Sequence, residues 1–237
     1  MPEDKPIVYI LRGDDREKIE TVIRQFYEQL GDASMAEMNT NRLDGKSADL
    51  NDLRSAALAL PFLAERRMVI VEDALHKYAR VNSKKDDNFT LGEGKDTPGK
   101  IQLFLDFLAG LPPSTALVLV APDQRKSRKR NEGGETYWVS LNDKHWLIQW
   151  AKSEGTRAAI VDCALPTERE MAHWIGEKAQ ELGGDFSPQA RQVLAQYVGN
   201  DTQRAAQEIN KLLTYVNFNR QVTACNHDTV NMGENLV

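Results

Sequence analysis

Residues 116–121, ALVLVA, are apolar at every position. A strand with one wet face alternates apolar and polar residues, whereas a run without alternation fits a strand buried on both faces of a parallel sheet. Such a strand needs parallel neighbours at its sides and helices above and below it. The preceding and following segments supply both. Pro6 to Gly13, PIVYILRG, is a second short, β-branched apolar run bounded by breakers. Asp14 then starts a helix that carries Ile19, Val22, Ile23, Phe26 and Leu30 on one face and closes at Gly31. Residues 35–43 alternate Met35, Glu37 and Asn39 against Ala36 and Met38, and read as a weaker strand ending at Leu43 before the Asp44-Gly45 turn. A helix is expected over residues 49–59, a strand over 68–71, an amphipathic helix over 100–111, a helix near 144–152 and a strand over 156–161. This alternation predicts an α/β fold, a parallel sheet with helices on both faces.

After Leu165-Pro166 strand-like runs stop while helical periodicity continues. Thr167 with Glu170 forms a capping-box pattern ahead of Met171, Trp174, Ile175, Ala179 and Leu182, and Gly183-Gly184 ends that helix. Ser187-Pro188 opens a second helix that Gly199 closes, and Asp201 caps a third carrying Ala205, Ile209, Leu212 and Leu213. The chain therefore divides into an α/β domain, residues 1–164, and a small three-helix domain, residues 165–237. Two polar, glycine-containing stretches, residues 81–98 and 123–135, read as mobile surface loops.

The formal net charge of −5 argues against a surface given over wholly to nucleic acid, so any such contact should be local. Cys163 and Cys225 have no metal or redox spacing. The N-terminus MPEDKP lacks an apolar signal region, and the sequence has no run of about 18 apolar residues; these features point to the cytoplasm and away from a membrane.

Chemistry-bearing motifs are sparse. Gly94 to Lys100 satisfies G-x-x-x-x-G-K, but the next residue is Ile101 where a P-loop carries the Ser or Thr that holds magnesium. A long polar stretch, not a strand, leads into it. After the first strand, where an αβ nucleotide site would sit, the sequence reads Gly13-Asp14-Asp15-Arg16-Glu17-Lys18, with one glycine and three carboxylates that disfavour an anion. Asp14 and Asp15 could hold a metal, yet no second acidic cluster follows at another strand end. His76, His145, His173 and His227 are scattered, and no nucleophile motif is present. No intrinsic catalysis, cofactor or metal is expected.

Two segments point to binding instead. Arg125, Lys126, Arg128, Lys129 and Arg130 follow the ALVLVA strand and offer a local basic patch for a phosphate backbone, which makes a DNA-binding module the alternative function. Leu60-Pro61-Phe62-Leu63-Ala64-Glu65-Arg66-Arg67 ends a helix in bulky apolar residues just before a strand, a pattern that on composition alone fits core packing.

Taken together, YILRGDD, LPFLAERRMVIVED, LPPSTALVLVAPD, LPTEREMAHWI and YVGNDTQRAAQEINKLLTYV resemble, in order and spacing, the delta subunit of the bacterial DNA polymerase III clamp loader. The resemblance spans nearly the whole sequence. It implies an AAA+-like αβ domain with a degenerate P-loop, then a three-helix lid; the family's helical collar would lie beyond Val237, so the sequence reads as an N-terminal fragment. It implies a protein that binds and opens the sliding clamp, the beta subunit, during DNA replication without its own ATPase activity. Further implied partners are delta prime, tau/gamma and primed DNA. In that family a Leu-Phe pair at a helix tip enters an apolar pocket on the clamp. Here the position reads Phe62-Leu63, with the order inverted, and the resemblance places Leu60, Phe62, Leu63, Arg66 and Arg67 at the clamp contact. Arg204 is not in secure register with the phosphate-sensing arginine of nucleotide-binding relatives, and Asn200 and Asp201 read as helix capping.

Overall fold

The computed structural model describes residues 5–75, 97–122, 124–128, 135–139 and 141–223. The chain divides into two compact units, Met1–Asp14 with Thr21–Cys163, and Asp15–Glu20 with Ala164–Val237.

In the first unit β1 (Val8–Arg12) leads into α1 (Arg16–Glu28), which the division into units splits after Glu20. There follow α2 (Ala33–Met38), β2 (Thr40–Asp44), α3 (Leu50–Leu58), β3 (Arg67–Glu72), α4 (Thr97–Ala109) and β4 (Thr115–Ala121). A hairpin of β5 (Gln124–Arg128) and β6 (Glu135–Val139) precedes α5 (Trp146–Ser153) and β7 (Ala158–Asp162). Five strands form one parallel sheet in the order β2-β3-β4-β1-β7, with Val8 opposite Leu117 on one side and Ala158 on the other. The ALVLVA run is the middle strand, as its lack of alternation requires. Because side chains alternate along a strand, Val8, Ile10, Val69, Val71, Leu117 and Leu119 share one face and form a core with Leu53 and Ala57 of α3, Phe104 and Leu108 of α4, and Leu147 and Ile148 of α5. Leu11, Met68, Ile70, Val118 and Val120 are buried on the opposite face, where Tyr9 meets Phe26 of α1 with ring centroids 4.5 Å apart. The fold is thus α/β with a parallel sheet, as expected.

Two expectations are corrected. Residues 35–43 are not one strand: Ala33–Met38 is helical and the strand is Thr40–Asp44. Asp32 decides this, because its carboxylate accepts the Met35 N–H at 2.9 Å and caps the helix. Residues 123–135 are not simply a loop either. Gln124–Arg128 pairs antiparallel with Glu135–Val139, Gln124 opposite Val139 and Arg128 opposite Glu135. The β-branched and aromatic run Thr136-Tyr137-Trp138-Val139 supplies the strand preference that the neighbouring charges mask. Of the other polar stretch, residues 81–96 lie outside the described residues, and Thr97 and Pro98 open α4.

The second unit holds α6 (Glu168–Glu181), α7 (Pro188–Val198) and α8 (Thr202–Tyr215). Thr167 donates its N–H to Glu170 Oε2 at 2.9 Å, and this bond holds the Glu170 carboxyl below its ordinary range. Ser187 Oγ accepts from Ala190 N, Asp201 Oδ1 accepts from Arg204 N, and Gly199 turns the chain at φ +63°. Met171, Ile175, Ala179, Phe186, Leu194, Ile209, Leu212 and Leu213 form the core of this three-helix unit.

Candidate functional site

The connection from α3 to β3 carries the most exposed apolar side chains of the described residues. Leu60 is 85% exposed, Leu63 80% and Phe62 54%, and Leu58 and Met38 are exposed as well. Single exposed apolar residues need no explanation, but several large ones on one short connection make it the candidate binding surface.

The local sequence makes this tip. Asp49 caps α3 by accepting from Asn51 N and Asp52 N, and Asp52 Oδ2 accepts the Asp49 N–H in return. At the other end Thr115 Oγ1 donates to Ala57 O at 2.6 Å, and Ala59 leaves the helix with ψ 143°. Pro61 favours an extended Leu60. Leu63 then sits at φ +50°, a left-handed conformation that a residue with a branched side chain rarely adopts.

A tip with exposed side chains still needs partners for its backbone, and buried polar groups provide them. Asn39, 1% exposed, accepts the Phe62 N–H at 2.6 Å and donates Nδ2 to Phe62 O at 2.8 Å. Arg67 donates Nη1 to Leu60 O at 3.3 Å and Nη2 to Asn41 Oδ1. Arg66 Nη2 bridges Pro6 O and Thr115 O at 2.7 and 2.8 Å.

The two arginines, expected at the clamp contact, are both engaged with the chain's own main-chain carbonyls. Arg67 is buried, and burial pushes its guanidinium below its ordinary pKa. Arg66 is half-buried, with Nη2 on two main-chain carbonyls. Arg67 supplies a donor to a carbonyl of the turn, whereas Arg66 ties the end of the connection to the carbonyls of Pro6 and Thr115. Leu60, Phe62 and Leu63 face solvent. Beside Leu63 lies a groove of about 310 Å³ lined by Tyr9, Phe26, Leu30, Arg66 and Met68. In the sequence Asn39 and Met38 fall within the expected strand 35–43 and carry no site signal, and nothing local says that the Asn39 amide reaches residue 62.

At the turn after β1, Gly13 adopts φ +123°, and Asp15 caps α1 by accepting the Lys18 N–H at 3.1 Å. The Asp15 carboxylate is 1% exposed and also accepts Thr202 Oγ1 at 2.7 Å within the second unit. The helix N-terminus, the place for an anion, is filled by the chain's own carboxylate. Gly94 to Asp96 lie outside the described residues, while Gly99 and Lys100 lie in the first turn of α4, which begins 25 positions after β3 ends at Glu72. Among the described residues no three His, Cys, Asp or Glu side chains gather to hold a metal, and no helix is long and apolar enough to cross a membrane. Arg125, Lys126 and Arg128 fall on β5; Lys129 and Arg130 lie outside the described residues.

The family model for the DNA polymerase III delta subunit matches residues 9–149, more than half of the chain and the whole of the 60–67 connection. The chain belongs to this family. The Bacillus subtilis DNA clamp loader delta protein superposes with a TM-score of 0.64 at 18% identity, covering 96% of this chain and 58% of that one. This delta-family chain thus spans 58% of the length of the Bacillus subtilis protein and shares its fold. A Thermotoga maritima DNA polymerase III gamma subunit-related protein has a TM-score of 0.42 at 17% identity, over 89% of this chain and 57% of that one. No curated protein sequence matches the chain.

Proposed function

We propose that this delta-family chain grips the sliding clamp through Leu60, Phe62 and Leu63 and helps to open it, while ATP is hydrolysed by other subunits of the loader. The observation that carries the reading is the exposed apolar tip of the α3–β3 connection, held by a buried polar scaffold. A few desolvated side chains supply most of the energy of such a contact, each worth ~2 kcal/mol or more when it is a hot spot. A helix-end anchor entering an apolar pocket is the mode that fits. Arg66 and Arg67 are left out of the contact set and assigned to shaping the tip. The Asp15 carboxylate at the α1 N-terminus supports the reading that nucleotide is not bound there. Delta prime, tau/gamma and primed DNA are the further partners proposed, with DNA reached through residues 125–130.

The test is affinity for a purified bacterial sliding clamp without nucleotide, beside the Phe62→Ala/Leu63→Ala variant. The wild type should bind, and the variant should lose more than about a hundredfold in affinity while keeping its fold. Equal affinity of the two proteins would refute the assignment, and binding to DNA alone with none to the clamp would favour the basic segment.

A further inference from the structure

We infer that Asn39 is a positioning residue for the clamp contact, fixing the backbone of Phe62 so that the Phe62 and Leu63 side chains are presented before the partner arrives. This rests on the reading above.

The side-chain amide of Asn39 makes a two-point clasp on one residue 23 positions away: Oδ1 accepts Phe62 N–H at 2.6 Å and Nδ2 donates to Phe62 O at 2.8 Å. Nδ2 also donates to Met35 O at 2.9 Å. The clasp itself cannot drift, because the Asn39 N–H donates to Met35 O at 3.1 Å and the Asn39 carbonyl accepts Met68 N–H at 2.8 Å. Asn39 therefore joins the end of α2, the first residue of β3 that pairs with β2, and the tip, and its amide, an acceptor and two donors, is matched on both atoms. At 1% exposure these bonds face no competition from water.

The tip needs such a device. Leu60 and Leu63 are mostly in solvent, so their own burial does little to order the turn, and Leu63 is held at φ +50°, against its preference. A turn free to leave that conformation would have to be ordered again on binding, at the expense of affinity. Asparagine fits this geometry with one acceptor and one donor on the same residue. Aspartate keeps the acceptor for Phe62 N–H but sets a second acceptor against Phe62 O, and alanine keeps neither bond.

The experiment measures clamp affinity at a temperature well below the melting point of every variant, with exchange of the Phe62 amide hydrogen followed in the free proteins. Asn39→Ala should weaken clamp binding on the order of tenfold and speed exchange at Phe62. Asn39→Ser, which buries no charge and is too short to hold both Phe62 N–H and Phe62 O, guards against a failure of the alanine variant to fold and should also bind more weakly. In a Leu63→Ala background the further loss from Asn39→Ala should shrink, because the residue acts through the anchor it positions. A folded Asn39 variant with wild-type affinity, while Phe62→Ala/Leu63→Ala loses binding, would overturn the inference and leave the clamp reading intact. An equal fold-loss in both backgrounds would reduce Asn39 to a structural role and overturn it likewise. No binding by the wild type would remove the clamp reading and the inference together.

Discussion

The turn after β1 and the connection from α3 to β3 are each organised by one buried polar side chain, and the two do opposite things. Asp15 folds back onto its own helix, accepting Lys18 N–H and Thr202 Oγ1, and so fills the one helix N-terminus where an αβ fold would place a phosphate. Asn39 reaches across to a distant turn and satisfies its backbone, which leaves the apolar side chains of that turn free to stay in solvent. In the first turn the buried polar group occupies a helix end. In the second it supports an exposed apolar tip. The difference lies in what each group satisfies: a carboxylate at a helix N-terminus accepts one of the end N–H groups and repels a second anion, whereas a turn whose backbone is supplied from beneath leaves its side chains available to a partner.

The largest effect expected is at the tip, where Phe62→Ala/Leu63→Ala should abolish clamp binding with little change in stability; a large drop in melting temperature would mean that these side chains serve the core. Next comes Asp15→Ala, which removes the cap of α1 and one partner of Thr202, and should cost about 1–2 kcal/mol in denaturant unfolding. The same variant should gain no binding of ATP with magnesium; a gain would show that Asp15 only masks a working nucleotide site. A smaller effect with opposite signs in two assays is expected of Leu63→Gly. Glycine tolerates φ +50° without strain, so stability should rise by up to about 1 kcal/mol while clamp affinity falls. A fall in both would break the claim that the tip trades stability for contact.

His145 offers the mildest test of a buried polar cap. Its Nδ1 accepts Leu147 N–H at 3.2 Å at the start of α5, and burial lowers its pKa from 6.5 to about 4. The folded state therefore prefers the neutral ring, and the unfolded chain takes up the proton first. This contribution to stability is complete above pH 6.5 and is lost as pH falls from 6.5 toward about 4. His145→Asn keeps an acceptor at the cap without titrating, and should flatten that part of the melting-temperature profile. An unchanged slope would assign the pH dependence to other groups.

How far the sequence foretells this arrangement depends on the range over which each residue acts. ALVLVA and PIVYILRG are legible as buried parallel strands because the lack of alternation is a local property. The caps Thr167, Ser187 and Asp201 are legible because they act within three residues. Residues 33–38 mislead because Met35, Ala36 and Met38 fit both periods, and Asp32 settles the matter through one hydrogen bond. Adjacent arginines before a strand read as surface charge, yet Arg66 and Arg67 donate to the main-chain carbonyls of Pro6, Thr115 and Leu60, partners that no local pattern announces. Phe62 and Leu63 stand out only through the family resemblance, since composition alone sends them to the core. Asn39 has no local signal, because its partner is 23 residues away.

The most direct test of the account is amide hydrogen exchange of this chain with and without a purified sliding clamp. New protection is expected over residues 58–64, with no comparable change along 124–128. Protection of the β5–β6 hairpin with residues 58–64 unchanged would contradict it.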